Sequence, residues 1–541
     1  EAGAKLSMRP APPAPPPAPP PTPTSFDACM ASPNAHNVRE YGAFVSGDSS
    51  PTIASANQRT INTAIDTLGA GGGGTICLPV GRFHIAFATG FSGITASNSL
   101  AIYINRSNIT LWGAGIGQTA LLTPPEYRLV NGAVVRGTGI WISAPNNATL
   151  TNGLATRNIT LRDFELDGQT GWTGRYGFPA SPIDGDGWDI THKGIILSQG
   201  RHVDNVVLQD FYIHRYKGEV IYAGGERMQR IRLTRVKSED TNASTYNLTG
   251  VAIVEDSEFG LSRFWIEIGT AFSGKSGYFR NNFFHDARSG TGIALAQGDG
   301  LPQPYTFVNN RFENCVGVLG VYGGVGGPIM VSDNTVTNCT GRFFEGGAAP
   351  NTVVAGLNLN QNIMVERNTL TNVGTFAQLG GRLTNVTFSN NNFTGRGNVS
   401  GTGTVIVGSG GAFNNINFFD NRLNNALAPV ASGGFFGFHP FFAGNTYTNI
   451  NTQTTGRTLV PRSEFMGVNL GSSAIAVLAT AQYVDGQILT VSGGTLARQV
   501  NFVAGTGNGY SVPVTRVMDG AHTLVLRFDG AAAIWREVSY Q

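Results

Sequence analysis

Apolar positions recur along the chain in a short frame: an apolar residue, two variable residues, an anchor, one residue, and a second apolar residue. The clearest copies are Val331-Ser332-Asp333-Asn334-Thr335-Val336, Val365-Glu366-Arg367-Asn368-Thr369-Leu370 and Phe388-Ser389-Asn390-Asn391-Asn392-Phe393. The anchors are Phe164, Phe211, Val236, Ser257, Asn282, Asn310, Asn334, Asn368, Asn391 and Asn421, with successive gaps of 47, 25, 21, 25, 28, 24, 34, 23 and 30 residues. Glycine-bounded apolar stretches, such as Gly194-Ile195-Ile196-Leu197 and Gly292-Ile293-Ala294-Leu295, lie between copies. Short strands at such irregular intervals predict a β-solenoid, each coil pairing in parallel with the coils above and below. Equivalent residues then stack ~4.8 Å apart. Stacked asparagine amides bond along such a ladder and satisfy backbone at a bend. The 47-residue gap implies either an extra coil or an insertion at 168–190.

The ends of the chain break this frame. Ten prolines fall within Pro10–Pro23, which predicts a stiff, extended spacer over 1–25. No charged-then-apolar leader precedes it, so any signal peptide is expected to have been removed or never present. Ile61, Ala64, Ile65 and Leu68 fall at i, i+3, i+4 and i+7, one apolar helical face. Gly71 to Phe83 reads as turn, strand, turn, strand. Near the C-terminus, Gly486–Val491, Thr523–Gly530 and Trp535–Val538 alternate as strands between glycine turns. The expected organisation is a linker over 1–25, a cap over 26–100, the solenoid over 101–456 and a small β domain over 457–541.

Composition narrows the class. Charged residues make up 13% of the chain, about half the usual ~25%. The net charge is +2, so a nucleic-acid partner, which calls for a basic surplus, is not expected. No apolar run is long enough to span a membrane. Glycine is 73 of 541 residues, which suits many turns. Four cysteines are too few for a disulfide scaffold. Cys315 and Cys339 sit in matching contexts and read as small buried residues in adjacent repeats. Cys29 and Cys77 could be bridged in an oxidising compartment. No zinc spacing appears, and neither a metal nor a cofactor is expected.

The segment Asn37–Phe83, with Tyr41-Gly42-Ala43, a short helix, a glycine run and Leu78-Pro79-Val80-Gly81-Arg82-Phe83, resembles the N-terminal cap of pectate-lyase-like right-handed parallel β-helices. That group contains polysaccharide lyases, glycoside hydrolases, alginate epimerases and phage tailspikes. The resemblance covers roughly 37–450 and implies an all-β fold, a right-handed parallel β-helix with an N-terminal cap, rather than one reaction. Polygalacturonase-type motifs are absent. The Asp-Pro-His of alginate epimerases is absent too; Tyr176-Gly177-Phe178-Pro179 only echoes its surroundings. The C-terminal segment is similar to the small β domains that close trimeric tailspikes, which implies a homotrimer.

Charged residues, scarce elsewhere, concentrate in 184–299. In Trp265-Ile266-Glu267-Ile268, alternation turns the isoleucines inward and Glu267 outward beside Trp265. In Glu219-Val220-Ile221-Tyr222, Val220 and Tyr222 are read as inward and Glu219 as outward. The two glutamates are two repeats apart, ~9.6 Å along the axis, near the ~6.5–9.5 Å of inverting glycosidases. They are the expected acid–base pair, with Asp189 as a third candidate; two surface glutamates on one sheet are the alternative. Asp184-Gly185-Asp186-Gly187-Trp188-Asp189 imitates a calcium loop but lacks the bidentate glutamate, so it is read as a turn. Trp188, Trp265 and Tyr246 offer faces for sugar stacking. Lys193, with His192 and Arg288, would suit a lyase, in which a base removes a proton beside a neutralised carboxylate. The site is expected on the outward sheet of coils 190–300, under the 168–190 loop.

The resulting expectation is an extracellular enzyme acting on a polysaccharide, by hydrolysis first and β-elimination on a uronate polymer second. A non-catalytic glycan-binding tailspike or adhesin is the alternative class, and a phage virion tail the alternative location.

Overall fold

The computed structural model describes residues 26–541 except 92–97, 126–128, 131–132, 135, 145–153, 171–191, 199–201, 225–228, 242–243, 249–250, 270–275, 289, 297–303, 323–324, 348–358, 397–404, 408–411, 425–429, 432–440, 444, 449–457, 460–464, 469–473, 479–484, 494–498 and 520. The helix Pro51–Ala70 starts at Ser50, whose side chain accepts from Ile53 N–H, with Pro51 at the first position. The glycine run from Gly71 follows it. Its buried face holds the four residues expected from the apolar spacing, Ile61, Ala64, Ile65 and Leu68. Asn37 and Glu40 form a reciprocal capping box on the short 3-10 turn Val38–Tyr41. Together these elements lie over the first coils and close the core at that end.

Beyond the cap, the described strands wind into a right-handed parallel β-helix. Each coil gives a 24-stranded parallel sheet either two short strands or, as in Thr156–Asp167, Val203–His214 and Arg230–Glu239, one long strand, and gives one strand to a 12-stranded parallel sheet. Below, these are the long sheet and the site sheet. Phe164 pairs with Phe211, and Phe211 with Val236, so the coils carrying these anchors are neighbours. The 47-residue gap is therefore one coil with an insertion and not an extra coil.

The bend inside the long sheet has two causes. The residue before each anchor adopts positive φ: Asp163 at 59°, Asp256 at 53°, Asn281 at 56°, Asp333 at 57° and Asn390 at 56° are examples. Asp and Asn tolerate this region best among residues with a Cβ. The anchor asparagines then stack. Asn334 Oδ1 accepts from Asn310 N–H (2.8 Å) and Asn310 Nδ2 (3.0 Å), while Asn334 Nδ2 donates to Phe307 O (2.9 Å) and Asn368 Oδ1 (2.9 Å). The same pattern continues through Asn368, Asn391 and Asn421 and, among the described residues, reaches Asn445, one coil further than the sequence frame. Beside the ladder, Phe284 stacks on Phe312 at 5.0 Å and Phe388 on Phe418 at 4.5 Å, close to the spacing of coils.

Cys29–Cys77 and Cys315–Cys339 are both disulfides, with Cα atoms 5.8 and 4.4 Å apart. The reading of Cys315 and Cys339 as merely buried thiols is corrected: equivalent positions on consecutive coils approach closely enough for the sulfurs to bond. The C-terminal strands Ile488–Gly493, Thr523–Asp529 and Ile534–Tyr540 pair antiparallel, around a separate core that includes Leu489, Phe502, Leu526 and Trp535.

Candidate functional site

Along the site sheet, one register row reads Tyr103, Trp141, Ile196, Tyr222, Asn247, Glu267, Ala294, Gly320, Glu345 and Gln378. The adjacent row, with Ile195, Ile221, Ile266, Ile293 and Leu319, is buried in the main core. Side chains alternate across a sheet, so the first row faces outward. At its start Tyr103, Trp141 and Ile196 form a small outer apolar cluster, with Tyr222 packed against it. From Glu267 to Gln378 the row carries no large apolar side chain: Glu267, Ala294, Gly320, Glu345 and Gln378 follow one another.

Glu267 stands outward as expected. Burial, then the charge of Glu219, pushes its carboxyl up to about 7, while Arg263 and Lys193 pull the other way. Glu219 is also brought to the outer side, but by a different route from the one expected. The strand begins only at Ile221, whose side chain enters the core together with Val220, and Tyr222 is the outward residue. Glu219 precedes the strand in a bend, so alternation counted through it misassigns Tyr222. Glu219 is fully buried and accepts a hydrogen bond from Lys193 Nζ, which also lies 4.2 Å from the Tyr222 ring centre. Two of the expected residues, Lys193 and Glu219, thus form one buried ion pair on adjacent coils, whose charges both act on Glu267.

Three expectations need correction. Trp265 cannot stack on a sugar: it is fully buried among Phe284 and Phe312, and its Nε1–H donates to His285 O at 3.0 Å. Alternation would put Trp265, two residues before Glu267, on the same outward face; instead Trp265 and Ile266 both enter the core, so alternation fails at the start of the strand Phe264–Gly269. Arg288 pairs with Asp286 at 3.8 Å in the corner after Phe283–His285, within an ionic row of the long sheet. His192 is not a base. Lys217 N–H donates to its Nδ1 (3.1 Å), its Nε2–H donates to Pro124 O (3.0 Å), and burial pushes its pKa down to about 4. Asp189, Trp188 and the side chain of Tyr246 lie outside the described residues.

The polar face continues past residue 300, where sparse charge had argued against a site. A groove of about 480 Å³ opens there, lined by Phe264, Thr291, Ala294, Tyr322, Arg342 and Glu345 among others. Thr291 Oγ1 lies 2.7 Å from Tyr322 OH, and Arg342 Nη1 donates to Glu345 Oε2 at 3.0 Å. Burial, then the charge of Glu345, raises the Tyr322 phenol. Alternation in Gly320-Val321-Tyr322 and Phe344-Glu345 puts Tyr322 on the face of Glu267 and Glu345 on its row; Arg342, before two consecutive core phenylalanines, could not be placed that way. A regional charge count hid the signal for Tyr322 and Glu345.

Among the described residues, two clusters combine carboxylates with a histidine at distances a metal could bridge, Glu165/Asp167/His214 and Glu239/Glu258/His285. Both lie on the long sheet, and both are compensated by the chain itself. Arg82 and Arg215 pair with Asp167, and Lys237 sits 3.1 Å from both Glu239 and Glu258. His285 and Lys237 hold Glu258 down to about 2. These contacts make an ionic ladder along the coils.

No family model matches the chain. Mannuronan C5-epimerase AlgE5 of Azotobacter vinelandii is 28% identical over 315 residues, 58% of this chain and 24% of that protein. AlgE6 and alginate lyase 7 of the same organism are 35% and 32% identical over 133 residues, 25% of this chain and 12% of theirs. The chain thus spans a quarter or less of these relatives' length. Among solved structures, the A-module of Azotobacter vinelandii mannuronan C-5 epimerase AlgE4 superposes with a TM-score of 0.50 at 16% identity, covering 75% of this chain and 100% of that one. A tailspike variant of E. coli bacteriophage HK620 in complex with a pentasaccharide gives 0.53 at 13%, covering 87% and 81%. Cap, coils and asparagine ladder, taken with these likenesses, show that the chain has the right-handed parallel β-helix fold.

Proposed function

We infer that the protein is a polysaccharide-acting enzyme that removes the proton beside the carboxylate of a uronate unit. That step opens both β-elimination and epimerisation. The observation that supports it most is Glu267: a shielded outward carboxyl brought to about 7 beside two cations. A base is most effective when its pKa lies near the operating pH. Glu267 takes the proton from the sugar carbon. The electron pair passes to the substrate carboxylate, where Arg263 offsets the growing charge. Elimination then expels the neighbouring glycosidic oxygen, which takes up the proton held by Glu267 or one from water, whereas epimerisation adds a proton from water to the opposite face and Glu267 releases its own to solvent. The printed functions of the relatives, mannuronan C5-epimerase and alginate lyase, support this substrate class.

Hydrolysis by Glu219 and Glu267 is less well supported. Glu219 is buried against Lys193, which leaves one poised carboxyl instead of an acid and a base. Glu219 is better read as a positioning residue that tunes Glu267. The two disulfides suit an extracellular or virion location. The domain boundaries and the homotrimer remain part of the proposal; limited proteolysis and light scattering of the full chain read them.

The test is incubation with polymannuronate, mixed alginate, pectate and neutral glycans in heavy water. An epimerase is expected to leave deuterium at the carbon beside the carboxylate of inverted units, and a lyase to leave unsaturated ends, in which that carbon carries no hydrogen. Reducing ends with neither deuterium nor unsaturation would select hydrolysis. Binding without conversion would select the adhesin reading.

A further inference from the structure

Between Glu267 and Glu345 the outward row of the site sheet holds only Ala294 and Gly320. Two minimal side chains between two carboxylates leave a trough. Gly320 is required for its shape: a Cβ there would come within 2.4 Å of Tyr322 Cε2, so the Tyr322 ring lies against the sheet floor only because Gly320 has none. The far end carries the Arg342–Glu345 pair, with Arg342 43% and Glu345 20% exposed. Hydroxyls of Thr291 and Tyr322 edge the same space, over Phe264 and Ala294. About 480 Å³ falls within the ~300–1,000 Å³ of small-ligand sites.

We propose that this groove is a distal subsite for a second uronate unit of the chain being processed, three coils from Glu267. Three rungs are ~14 Å, so substrate lies along the solenoid axis and several sugar units separate the two points. Arg342 presents a planar fork that matches a carboxylate. Only one of its nitrogens is engaged by Glu345 in the bond described. Glu345 and the hydroxyls of Thr291 and Tyr322 accept from and donate to sugar hydroxyls, and the faces of Phe264 and Tyr322 supply apolar contact. Arg342 is then the residue that makes the enzyme favour long anionic chains.

The proposal rests on the uronate reading, and the experiment separates the two. Titration calorimetry is run on the full chain carrying Glu267→Gln, with oligomannuronate dimer, oligomannuronate hexamer and a neutral mannohexaose. The hexamer is expected to bind at least about tenfold more tightly than the dimer. Adding Arg342→Gln should remove that advantage and leave dimer binding unchanged. Tyr322→Phe, which keeps the ring, should weaken only the hexamer, and by less. Equal hexamer affinity with and without Arg342→Gln overturns the subsite. So does mannohexaose binding as tightly as the uronate hexamer. If the hexamer binds through Arg342 but the parent protein gives neither deuterium incorporation nor unsaturated ends, the subsite stands and the proposed reaction falls.

Discussion

Lys193 and Glu219, on adjacent coils of the site sheet, form a buried ion pair whose two charges act on Glu267 in opposite directions. The pair is not there for stability alone, since a buried pair rarely repays its own desolvation. Removing one member is another matter. Lys193→Met strands the Glu219 carboxylate and should cost about 3–5 kcal/mol in denaturant unfolding. It also removes a cation that lowers the Glu267 pKa, so the rise of activity with pH should move to higher pH. A variant with parent stability and an unmoved profile would show that Lys193 has no hold on the site.

Glu267 makes a pH prediction of opposite sign for stability and for activity. Its folded pKa, about 7, lies above its ordinary 4.5. The folded state therefore holds this proton more tightly than the unfolded chain, and stability falls as pH rises from about 4.5 through 7. Glu267→Gln mimics the protonated form. It should match the parent near pH 5 and exceed it at pH 8, by on the order of 2 kcal/mol. The same variant should lose at least ~10²-fold in turnover. Parent activity should rise through pH 7, as a base loses its proton. Thermal melts at the two pH values, with a pH–rate profile, check both. Equal melting shifts for parent and variant would mean that Glu267 is not shielded.

The fold was legible because a solenoid repeats its own grammar. Ten anchors, the frame around each and the cap from Asn37 to Phe83 all point to the same architecture, and Asn445 extends the ladder without changing it. The site was legible only where alternation ran inside a strand. Glu267, between two core isoleucines, was assigned to the correct face. Tyr222 was not, because the count was carried through a bend before Ile221. Trp265 shows the same error at the other glutamate: two residues before Glu267 it should share its outward face, but the regular alternation starts only at Ile266, and both Trp265 and Ile266 are in the core. Tyr322, Arg342 and Glu345 escaped because they approach Glu267 through coil stacking, at separations of 55, 75 and 78 residues that no local window spans.

The asparagine ladder should behave as a set of coupled, obligatory bonds. Asn334→Ala leaves the Asn310 N–H and the Phe307 carbonyl without the amide that serves them in the fold. Each buried group so stranded costs ~1–3 kcal/mol. The expected loss is therefore about 2–5 kcal/mol, measured by denaturant unfolding. Asn334→Asp keeps the acceptor but loses the donor and buries a charge, so it should be no better. A neutral Asn334→Ala would mean that backbone bonds alone hold the bend.

The Cys315–Cys339 disulfide ties consecutive coils at the corner from which the groove wall starts. Val316, Gly317, Thr340, Gly341 and Arg342, the residues that follow the two sulfurs, all line the groove. Thr340 N–H also donates to Cys315 O at 2.7 Å, so backbone and sulfur bonds hold the same step. Two separate effects should follow from replacing both cysteines by serine. The first is global: cross-linking positions 24 residues apart is worth about 3 kcal/mol through the unfolded chain. The second is local, because the corner that carries Arg342 loses its covalent tie while Glu267 keeps its surroundings. The double variant should therefore weaken hexamer binding several-fold and leave dimer binding and the Glu267 pH profile where they were. Calorimetry with both oligomers and a pH–rate profile distinguish these outcomes. A uniform loss for dimer and hexamer alike would mean that the bridge supports the whole sheet rather than this wall.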